Sequence, residues 1–424
     1  MKDVKFAFGK NSIHLSLPEG FLYELVESRT APTLPDPERA LNDVLDQPIA
    51  GEPLSILAQG KKTAAIAVCD ITRPAPNSVT LPPLLNRLHQ AGIPAEGITI
   101  LIATGLHRGA TEDEIRSIVG PKIAGTYHIL NHDARSLAEH SDLGFTRRGT
   151  PVYIDKRFLA ADLHLSLGFI EQHLMLGFSG GRKLVAPGVA GEATIKVIHS
   201  PRFMREPMAT EGSFERNPLH AELLEIASIA RHDFIVDVTL TQDRKISGVF
   251  AGDPVEAHAA GVEFLRKTSL EKLSGLADVV ITSAAGHPLD LTFYQIIKGI
   301  TAAQHIAKPG GRILIIGECT DGIGSPEFAE KLAAFTDHQE FLDEIKNKPV
   351  IIDQWQLEKL AMVGLSNQLF FYTPGVNKKQ IGALAENSFF DLDDAIAAVL
   401  NGLPSGARVA LVPDGPYAFA RVSN

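Results

Sequence analysis

The feature of this sequence that most constrains its fold is a series of short, largely apolar runs separated by amphipathic segments. The runs Ala64–Cys69 (AAIAVC), Ile98–Ala103 (ITILIA) and 163–170 (LHLSLGFI) are each followed by polar residues. A leucine-rich helix is predicted over residues 81–91 after the first run, and an acidic helix capped by Thr111 after the second. Apolar runs alternating with amphipathic helices are typical of a parallel sheet covered on both faces. The sequence therefore predicts an α/β fold.

The apolar pattern restarts after residue 275, which indicates a second domain in this chain of 424 residues. The later runs cover residues 278–282, 312–317, 349–352, 369–372 and 408–412. Two antiparallel hairpins are also predicted, over residues 5–17 and 233–253. We predict an N-terminal cofactor-binding catalytic domain of residues 1–270 and a C-terminal α/β domain of residues 275–405. For the last segment, residues 406–424, a return to the first domain is one option.

The charge balance and the cysteine count exclude several classes of protein. Forty Lys and Arg against 50 Asp and Glu give a net charge of −10, which argues against nucleic acid or an anionic membrane as a partner. The two cysteines, Cys69 and Cys319, exclude a disulfide scaffold and a thiolate metal site built from this chain alone. No signal peptide is visible, and no apolar stretch approaches the ~18 residues of a membrane span. We therefore expect a cytoplasmic protein whose oligomeric state is open.

Polar residues cluster where the predicted strands end, which is where binding sites form in open α/β sheets. Asp70 and Arg73 follow the first run, His107 follows the second, and His173 follows the third. Histidine is the usual acid–base residue near neutral pH, and these two histidines stand beside glycines at matching strand ends. We predict that His107 and His173 are catalytic. For Asp70, a structural role as the cap of a turn is as compatible with the sequence as a functional role.

The segment 177–191 (GFSGGRKLVAPGVAG) is the densest signal in the sequence. Small residues allow backbone N–H groups to approach an anion closely, and a following Lys or Arg adds positive charge. The glycine spacing fits neither a P-loop nor the Rossmann pattern. We interpret the segment as a cradle for a nucleotide phosphate with a reactive or anchoring lysine. The residues assigned to this cradle are Ser179, Gly180, Gly181, Arg182 and Lys183.

A third candidate group lies in the second predicted domain. Tyr294, Gln295 and Lys298 have the spacing of residues that share one helix face. Such a face could hold a carboxylate through the charge of Lys298 and hydrogen bonds from the other two side chains. His199 also follows a predicted helix, but its spacing alone indicates no function.

Taken together, these motifs resemble the nickel-dependent lactate racemase family, a group of α-hydroxyacid racemases and epimerases. The resemblance runs from Asp70 to the end of the chain, and no single motif would carry it alone. The motifs are ATGLHR at 103–108, GFIEQH at 168–173, GFSGGRK at 177–183, the His199 region, HPLD at 287–290 and YQIIKG at 294–299. The resemblance implies two domains, each with a largely parallel sheet flanked by helices, and an active site in the cleft between them.

The resemblance also implies a cofactor and a reaction. The cofactor is a nickel-pincer nucleotide, a pyridinium-3,5-bisthiocarboxylic acid mononucleotide that holds nickel through two sulfurs and a ring carbon. The reaction inverts C2 of a small anionic 2-hydroxy acid by hydride transfer through a bound 2-keto acid. Cofactor-maturation enzymes are then expected partners.

By the same resemblance, Lys183 carries the cofactor covalently and His199 is the nickel ligand from the chain. His107 and His173 form the acid–base pair. The residues expected to hold the substrate are Arg73, Tyr294, Gln295 and Lys298. Asp70 is expected to orient its neighbours at the cofactor, an inference that rests mainly on its chemistry.

The sequence departs from lactate-acting members at positions close to the expected reaction centre. Leu174 and Met175 follow His173 where those members have aromatic residues, and Ile71 stands where a histidine is usual. The substrate is therefore open among short 2-hydroxy acids, including lactate, malate, gluconate and phenyllactate.

Three other readings of the same residues stay open. His107, His173 and His199 could form a zinc site in a hydrolase or lyase. A nicotinamide-dependent oxidoreductase is disfavoured because the Rossmann glycine pattern is missing. The glycine-rich segment alone could serve a non-enzymatic protein that binds a sugar or nucleotide phosphate.

Overall fold

The structure is a computed structural model that describes residues 2–422 and divides into two compact units. The N-terminal unit consists of Thr30–Ile198 and Pro207–Thr268. The C-terminal unit consists of the chain up to Arg29, the short segment His199–Glu206 and the chain from Ser269 onward. Within residues 2–422, no helix is both long and apolar enough to cross a membrane.

The N-terminal unit is built around a six-stranded sheet. Its strands, in spatial order, are Ile246–Gly252, Phe234–Leu240, Leu163–Phe169, Ala64–Cys69, Ile98–Ala103 and His128–Asn131. Neighbouring strands are parallel except for the first two, which form an antiparallel hairpin. Every residue of Ala64–Cys69 and of Leu163–Phe169 is buried, which explains their unbroken apolar runs. The predicted parallel sheet and the second hairpin are confirmed.

Helices and two short hairpins complete this unit. The helices are Pro37–Asp46, Leu54–Leu57, Asn77–Gln90, Glu112–Val119, Pro121–Ala124, Lys156–Leu159, Glu192–Ile198, Pro218–Ile229 and Glu256–Ser269. The hairpins pair His140–Phe145 with Pro151–Asp155 and Gln172–His173 with Gly177–Phe178. Thr111 caps the acidic helix as predicted, because its side chain accepts the N–H of Glu114 while the Glu114 side chain accepts the N–H of Thr111.

The C-terminal unit contains a second, entirely parallel sheet. Its strands, in spatial order, are Ser388–Phe389, Gln368–Tyr372, Ala307–Ile316, Ala277–Ser283, Arg408–Val412 and Leu22–Leu25. Its helices are Pro201–Met204, Phe293–Ala303, Pro326–Ala333, His338–Ile345, Gln354–Gly364 and Leu392–Leu400. Leu270–Leu273 pairs separately with Phe419–Val422. The strand predicted at residues 349–352 is absent, since this segment is a turn before a helix.

The two chain ends lie in a different unit from the one the sequence predicted. Residues up to Arg29 were assigned to the first domain, yet Leu22–Leu25 pairs with Arg408–Val412 in the C-terminal sheet. The first hairpin, Lys2–Phe8 with Asn11–Leu17, packs its buried Phe6 against the same sheet at Val279. A return of residues 406–424 to the first domain is likewise wrong, because Arg408–Val412 is an inner strand of the C-terminal sheet. Strand pairing between distant segments decides to which unit each chain end belongs, and the local sequence does not encode that pairing.

This arrangement predicts which unit an N-terminal mutation weakens. Phe6→Ala should lower the free energy of unfolding by about 3–5 kcal/mol, because it leaves a cavity in the core of the C-terminal unit. Amide hydrogen exchange should accelerate in Ala277–Ser283 and stay unchanged in Ala64–Cys69. Phe145→Ala is the control, since Phe145 is 71% exposed and its loss should cost little. Faster exchange confined to the N-terminal sheet would contradict the assignment.

Candidate active site

Three adjacent parallel strands of the N-terminal unit bring the predicted catalytic residues to one edge of the sheet. Ala64–Cys69 is the middle strand, between Ile98–Ala103 and Leu163–Phe169. Asp70 follows the middle strand directly, and His107 and His173 follow its two neighbours within a few residues. The strands run in parallel, so their carboxyl ends lie side by side.

Asp70 and His107 form a direct hydrogen bond. His107 Nδ1 donates to Asp70 Oδ2 at 2.7 Å, and the Thr72 hydroxyl donates to Asp70 Oδ1 at 2.6 Å. Burial opposes ionisation of Asp70, but the hydrogen bonds from His107 and Thr72 hold the pKa of its carboxyl below the ordinary value. With its Nδ1 proton engaged by a carboxylate, a neutral His107 carries its lone pair on Nε2. His107 can therefore act as a proton acceptor through Nε2, and its hydrogen bond to Asp70 restricts the orientation of the ring.

Lys183 lies in the same unit, in the short 3-10 turn Gly181–Leu184. Its side chain is partly buried, and burial together with the nearby charge of Arg73 lowers the pKa of its amine to about 7. Three groups that favour the charged form, Cys69, Glu171 and Asp70, offset this only in part. A substantial fraction of Lys183 is therefore neutral near pH 7, and a neutral amine is a nucleophile.

Backbone N–H groups of Ser179 and Gly181 in the glycine-rich segment donate hydrogen bonds within the protein. The N–H of Ser179 donates to Glu171 O at 2.9 Å, and the N–H of Gly181 donates to Asp237 Oδ2 at 2.8 Å. The hydroxyl of Ser179 donates to Phe169 O at 2.8 Å. The predicted phosphate cradle does not form from these groups, because each donor is already used to shape the turn.

Arg182 is also unavailable to a ligand, contrary to the prediction. Its side chain is fully buried, and its guanidinium donates to Gly180 O at 3.1 Å, Phe178 O at 2.9 Å and Leu176 O at 3.3 Å. Burial lowers the pKa of Arg182 to about 9. A guanidinium removed from water must find acceptors inside the protein, and the carbonyls of its own loop supply them. Arg182 therefore fixes the shape of the segment that carries Lys183.

His173 is held differently from His107. It lies in the two-residue strand Gln172–His173, and the N–H groups of Met175 and Leu176 point at its Nδ1 from 3.4 and 3.3 Å. Nδ1 is therefore the acceptor nitrogen, and a neutral ring carries its proton on Nε2. Leu174 and Met175 are buried behind the ring, at 8% and 4% exposure. The two histidines share one unit but have opposite tautomers.

Arg73 lies in the N-terminal unit, whereas His199, Tyr294, Gln295 and Lys298 lie in the C-terminal unit. Tyr294, Gln295 and Lys298 stand on the helix Phe293–Ala303 and are partly buried, whereas Phe293, Ile296 and Ile297 face the core, so the predicted amphipathic face is confirmed. Within the described residues, Gln295 Oε1 is buried without a hydrogen-bond partner. An unpaired buried acceptor of this kind is suited to a ligand that donates a hydroxyl or N–H group.

Trp355 connects His199 with this helix, and sequence reasoning missed it. The His199 ring lies just after the helix Glu192–Ile198, with its centroid 4.5 Å from the Trp355 ring. Trp355 Nε1 in turn donates to the hydroxyl of Tyr294 at 3.2 Å. The only available signal was that Trp355 is the one tryptophan of the chain.

Residues 2–422 contain no group of three or more His, Cys, Asp or Glu side chains arranged to hold a metal ion. The zinc reading needs three converging ligands, which this part of the chain does not offer. A metal bound to the chain through one histidine would need its other ligands from a cofactor.

Comparison with known proteins identifies the family. The profile of the lactate racemase N-terminal domain matches residues 8–212, and that of the lactate racemase C-terminal domain matches residues 273–418. The chain belongs to the lactate racemase family. It is 32% identical to the lactate racemase of Thermoanaerobacterium thermosaccharolyticum, over 99% of this chain and all of that protein. It is 36% identical to the lactate racemase of Lactiplantibacillus plantarum, over 88% of each. Like these relatives, the chain is an isomerase.

Solved structures agree with this membership. The lactate racemase apoprotein from T. thermosaccharolyticum superposes with a TM-score of 0.89 at 31% identity, with all of both chains covered. A protein from Thermotoga maritima superposes with a TM-score of 0.68 at 15% identity, over 91% of this chain and 98% of that one, and shows a shared fold alone. The predicted α/β fold class is confirmed.

The lactate racemase family is known for a nickel cofactor, and residues of this chain fit such a group. The amine of Lys183, with its lowered pKa, suits a covalent attachment. His199 can offer a single imidazole to a metal that brings its own sulfur ligands. Burial raises the pKa of the Cys69 thiol to about 12, and burial also raises that of Cys319, so neither thiol is poised to bind a metal as thiolate.

The lowered pKa of Lys183 predicts selective acylation of the apoprotein. Below pH 7 the amine is protonated and unreactive, whereas above pH 7 it is increasingly neutral, so N-acetoxysuccinimide at pH 7.5 should label Lys183 before the exposed lysines. Peptide mass spectrometry at limiting reagent measures the order of labelling. Exposed lysines such as Lys10 are the internal reference. Labelling of Lys183 only above about pH 9 would contradict the assignment.

Proposed function

We propose that this protein inverts C2 of a small anionic 2-hydroxy acid, as a racemase or epimerase. The observation that carries the proposal is the 2.7 Å hydrogen bond from His107 Nδ1 to Asp70 Oδ2, which leaves Nε2 of His107 as a proton acceptor. A substrate oxidised at C2 must give up its hydroxyl proton to such a base. Membership of the lactate racemase family supports the reaction class.

We propose that Lys183 carries a nickel-pincer nucleotide covalently and that His199 is the chain's only ligand to the nickel. When bound, this group supplies a site that accepts hydride from C2 and returns it. The neutral amine of Lys183 supports the attachment, and the single histidine beside Trp355 supports the ligation. The enzyme would then depend on cofactor-maturation enzymes in the cytoplasm.

His107 and His173 form the proposed acid–base pair. Direct removal of the C2 proton would place a carbanion beside a carboxylate, which is poorly stabilised. Loss of the hydroxyl proton to a histidine, together with loss of hydride from C2, leaves a planar 2-keto acid instead. The chain must hold this keto acid until hydride returns to its other face. His107 Nε2 can accept the hydroxyl proton of one enantiomer directly. For His173 to serve as the base towards the other enantiomer, its ring proton must first move from Nε2 to Nδ1.

The cationic and amide side chains hold the substrate in this proposal. Arg73 and Lys298 would bind the carboxylate by charge, and Gln295 Oε1, buried without a partner in the described chain, would accept a hydrogen bond from the substrate. Tyr294, whose hydroxyl accepts a hydrogen bond from Trp355, is proposed as a further substrate contact. Charge-assisted contacts that keep a keto acid bound prevent its loss to water.

The relatives are named for lactate, and we propose lactate and other short 2-hydroxy acids as substrates. Ile71 stands between Asp70 and Arg73 and is 40% exposed, so it offers an apolar contact beside the proposed site. This favours substrates with a small apolar C3 group over those with a second carboxylate, for which no additional cation is assigned.

Protein produced with the cofactor-maturation enzymes should contain about one nickel per chain and should show a mass increase on the peptide that contains Lys183. It should interconvert the enantiomers of lactate or of another short 2-hydroxy acid, followed by chiral chromatography. Lys183→Arg should lose the added mass and the activity, because a guanidinium is not a nucleophile near neutral pH. The proposal would be refuted if the Lys183→Arg variant retained nickel and full activity. It would also be refuted if cofactor-loaded protein were inactive on every such acid.

The two-base arrangement predicts that single histidine variants lose different half reactions. His107→Ala and His173→Ala should each reduce racemisation about 10²–10⁴-fold. In single turnovers trapped with borohydride, His107→Ala should still form keto acid from one enantiomer only, and His173→Ala from the other only. Wild-type protein should form it from both. The same enantiomer preference in both variants would contradict the pairing.

A further inference from the structure

A buried carboxyl contacts the glycine-rich segment and is not used in the proposed reaction. Asp237 lies in the strand Phe234–Leu240 and is fully buried. Its Oδ2 accepts the N–H of Gly181 at 2.8 Å, whereas its Oδ1 has no hydrogen-bond partner among the described residues. Burial raises the pKa of this carboxyl to about 7, while the N–H of Gly181 and the nearby charge of Arg182 favour its ionised form. A buried carboxyl with one unpaired oxygen is energetically costly, and these two groups offset that cost only in part.

The surrounding backbone leaves space for this carboxyl. Gly168 is the register partner of Asp237 in the neighbouring strand, and a Cβ atom at Gly168 would lie 2.7 Å from Asp237 Oδ1. A Cβ atom at Gly180 would lie 2.6 Å from Oδ2, and Gly180 also has a φ of +84°. Two glycines therefore make the approach of Asp237 to Gly181 possible.

The hydrogen bond to Asp237 is at the start of the turn that carries Lys183. Gly181 is the first residue of the turn Gly181–Leu184, and the N–H of Lys183 donates back to Gly180 O at 3.1 Å. Arg182 holds the carbonyls of the same segment from within. The backbone turn that carries Lys183 is thus held by one carboxyl on its N–H side and by one guanidinium on its carbonyl side.

We propose that Asp237 is a positioning residue that clamps the N–H of Gly181 and thereby presents the amine of Lys183 for cofactor attachment. The purpose assigned to Lys183 rests on the proposed function. The clamp itself is a property of the apoprotein and can be tested without the cofactor. An amide oxygen can accept the same N–H, so the proposal requires a hydrogen-bond acceptor at position 237 and not a charge.

The reactivity of Lys183 reports whether the turn is held. The charged and titratable groups that face Lys183 are Arg73, Asp70, Cys69 and Glu171, and burial is the main cause of its lowered pKa of about 7. A released turn would expose the amine to water, and its pKa would rise toward the ordinary value near 10.5. At pH 7.5 the amine would then be mostly protonated and less reactive.

The test is the acylation of Lys183 by N-acetoxysuccinimide as a function of pH in apoprotein variants. The neutral amine displaces N-hydroxysuccinimide from the ester, forms an amide bond and releases one proton to solvent. Asp237→Ala should slow labelling at pH 7.5 about tenfold and shift the midpoint of the pH profile upward by about one unit. Asp237→Asn should stay within about twofold of wild type.

Two further variants keep the test decisive. Gly168→Ala leaves Asp237 in place but displaces its carboxyl, so it should slow labelling even if Asp237→Ala fails to fold. Asp233→Asn is the matched control, because Asp233 accepts the N–H of His164 at 2.8 Å just before the same strand and does not touch the turn. Asp233→Asn should lower stability at most, without moving the acylation profile.

A purely structural role for Asp237 would change the midpoint of thermal unfolding and leave the Lys183 profile in place. The proposal would be overturned if folded Asp237→Ala or Gly168→Ala were acylated at Lys183 at the wild-type rate and with the wild-type pH profile. The proposal would also be overturned if Asp237→Asn slowed the labelling of Lys183 as much as Asp237→Ala does. In cells that supply the cofactor, the added mass at Lys183 should form more slowly in Asp237→Ala. If wild-type protein never gained this mass, the proposed cofactor attachment at Lys183 would be refuted. The hydrogen bond from Gly181 to Asp237 would still be tested by the acylation profile.

Discussion

The buried guanidinium of Arg182 is the constraint on which the N-terminal site depends. A fully buried cation has to be surrounded by acceptors, and here the acceptors are the carbonyls of Leu176, Phe178 and Gly180. These contacts require the backbone to curl around Arg182, and the next residue, Lys183, lies inside the tight turn Gly181–Leu184. Burying this charge costs free energy, and the hydrogen bonds that compensate for it also make the segment rigid. A rigid segment can hold an amine partly out of water, where its pKa is lowered to about 7.

The two units contain different parts of the proposed site. The N-terminal unit holds a histidine base fixed by a buried carboxylate and an amine made nucleophilic by burial. The C-terminal unit holds the tryptophan that fixes His199 and Tyr294, and the amide of Gln295. The chain is acidic as a whole, yet the residues proposed to bind the cofactor and substrate include Arg73, Lys183 and Lys298. Net charge thus describes the surface that a macromolecular partner would meet, and it says little about a pocket for a small anion.

Much of the site could be predicted because its residues follow strands whose apolar runs are unmistakable. This logic proposes Asp70, His107 and His173, and parallel pairing places the strands before them side by side. The role of Arg182 could not be predicted, because Gly-Gly-Arg-Lys is equally compatible with an anion cradle and with a guanidinium that serves its own loop. Asp237 was missed since a single aspartate inside an apolar strand gives no spacing signal. Its partner Gly181 lies 56 residues away in sequence.

The sequence by itself determined the α/β class, most strands of the two sheets, the two longer hairpins, the helix face of Tyr294, Gln295 and Lys298, and the family resemblance. These are encoded locally, in the periodicity of apolar residues and in short motifs. Only the tertiary structure decided that the first 29 residues and the segment His199–Glu206 belong to the C-terminal unit. It alone decided that Arg182 and the N–H of Gly181 are used internally. The reason is that hydrogen bonds and burial join residues far apart in the chain, and the energy of those contacts is absent from any local pattern.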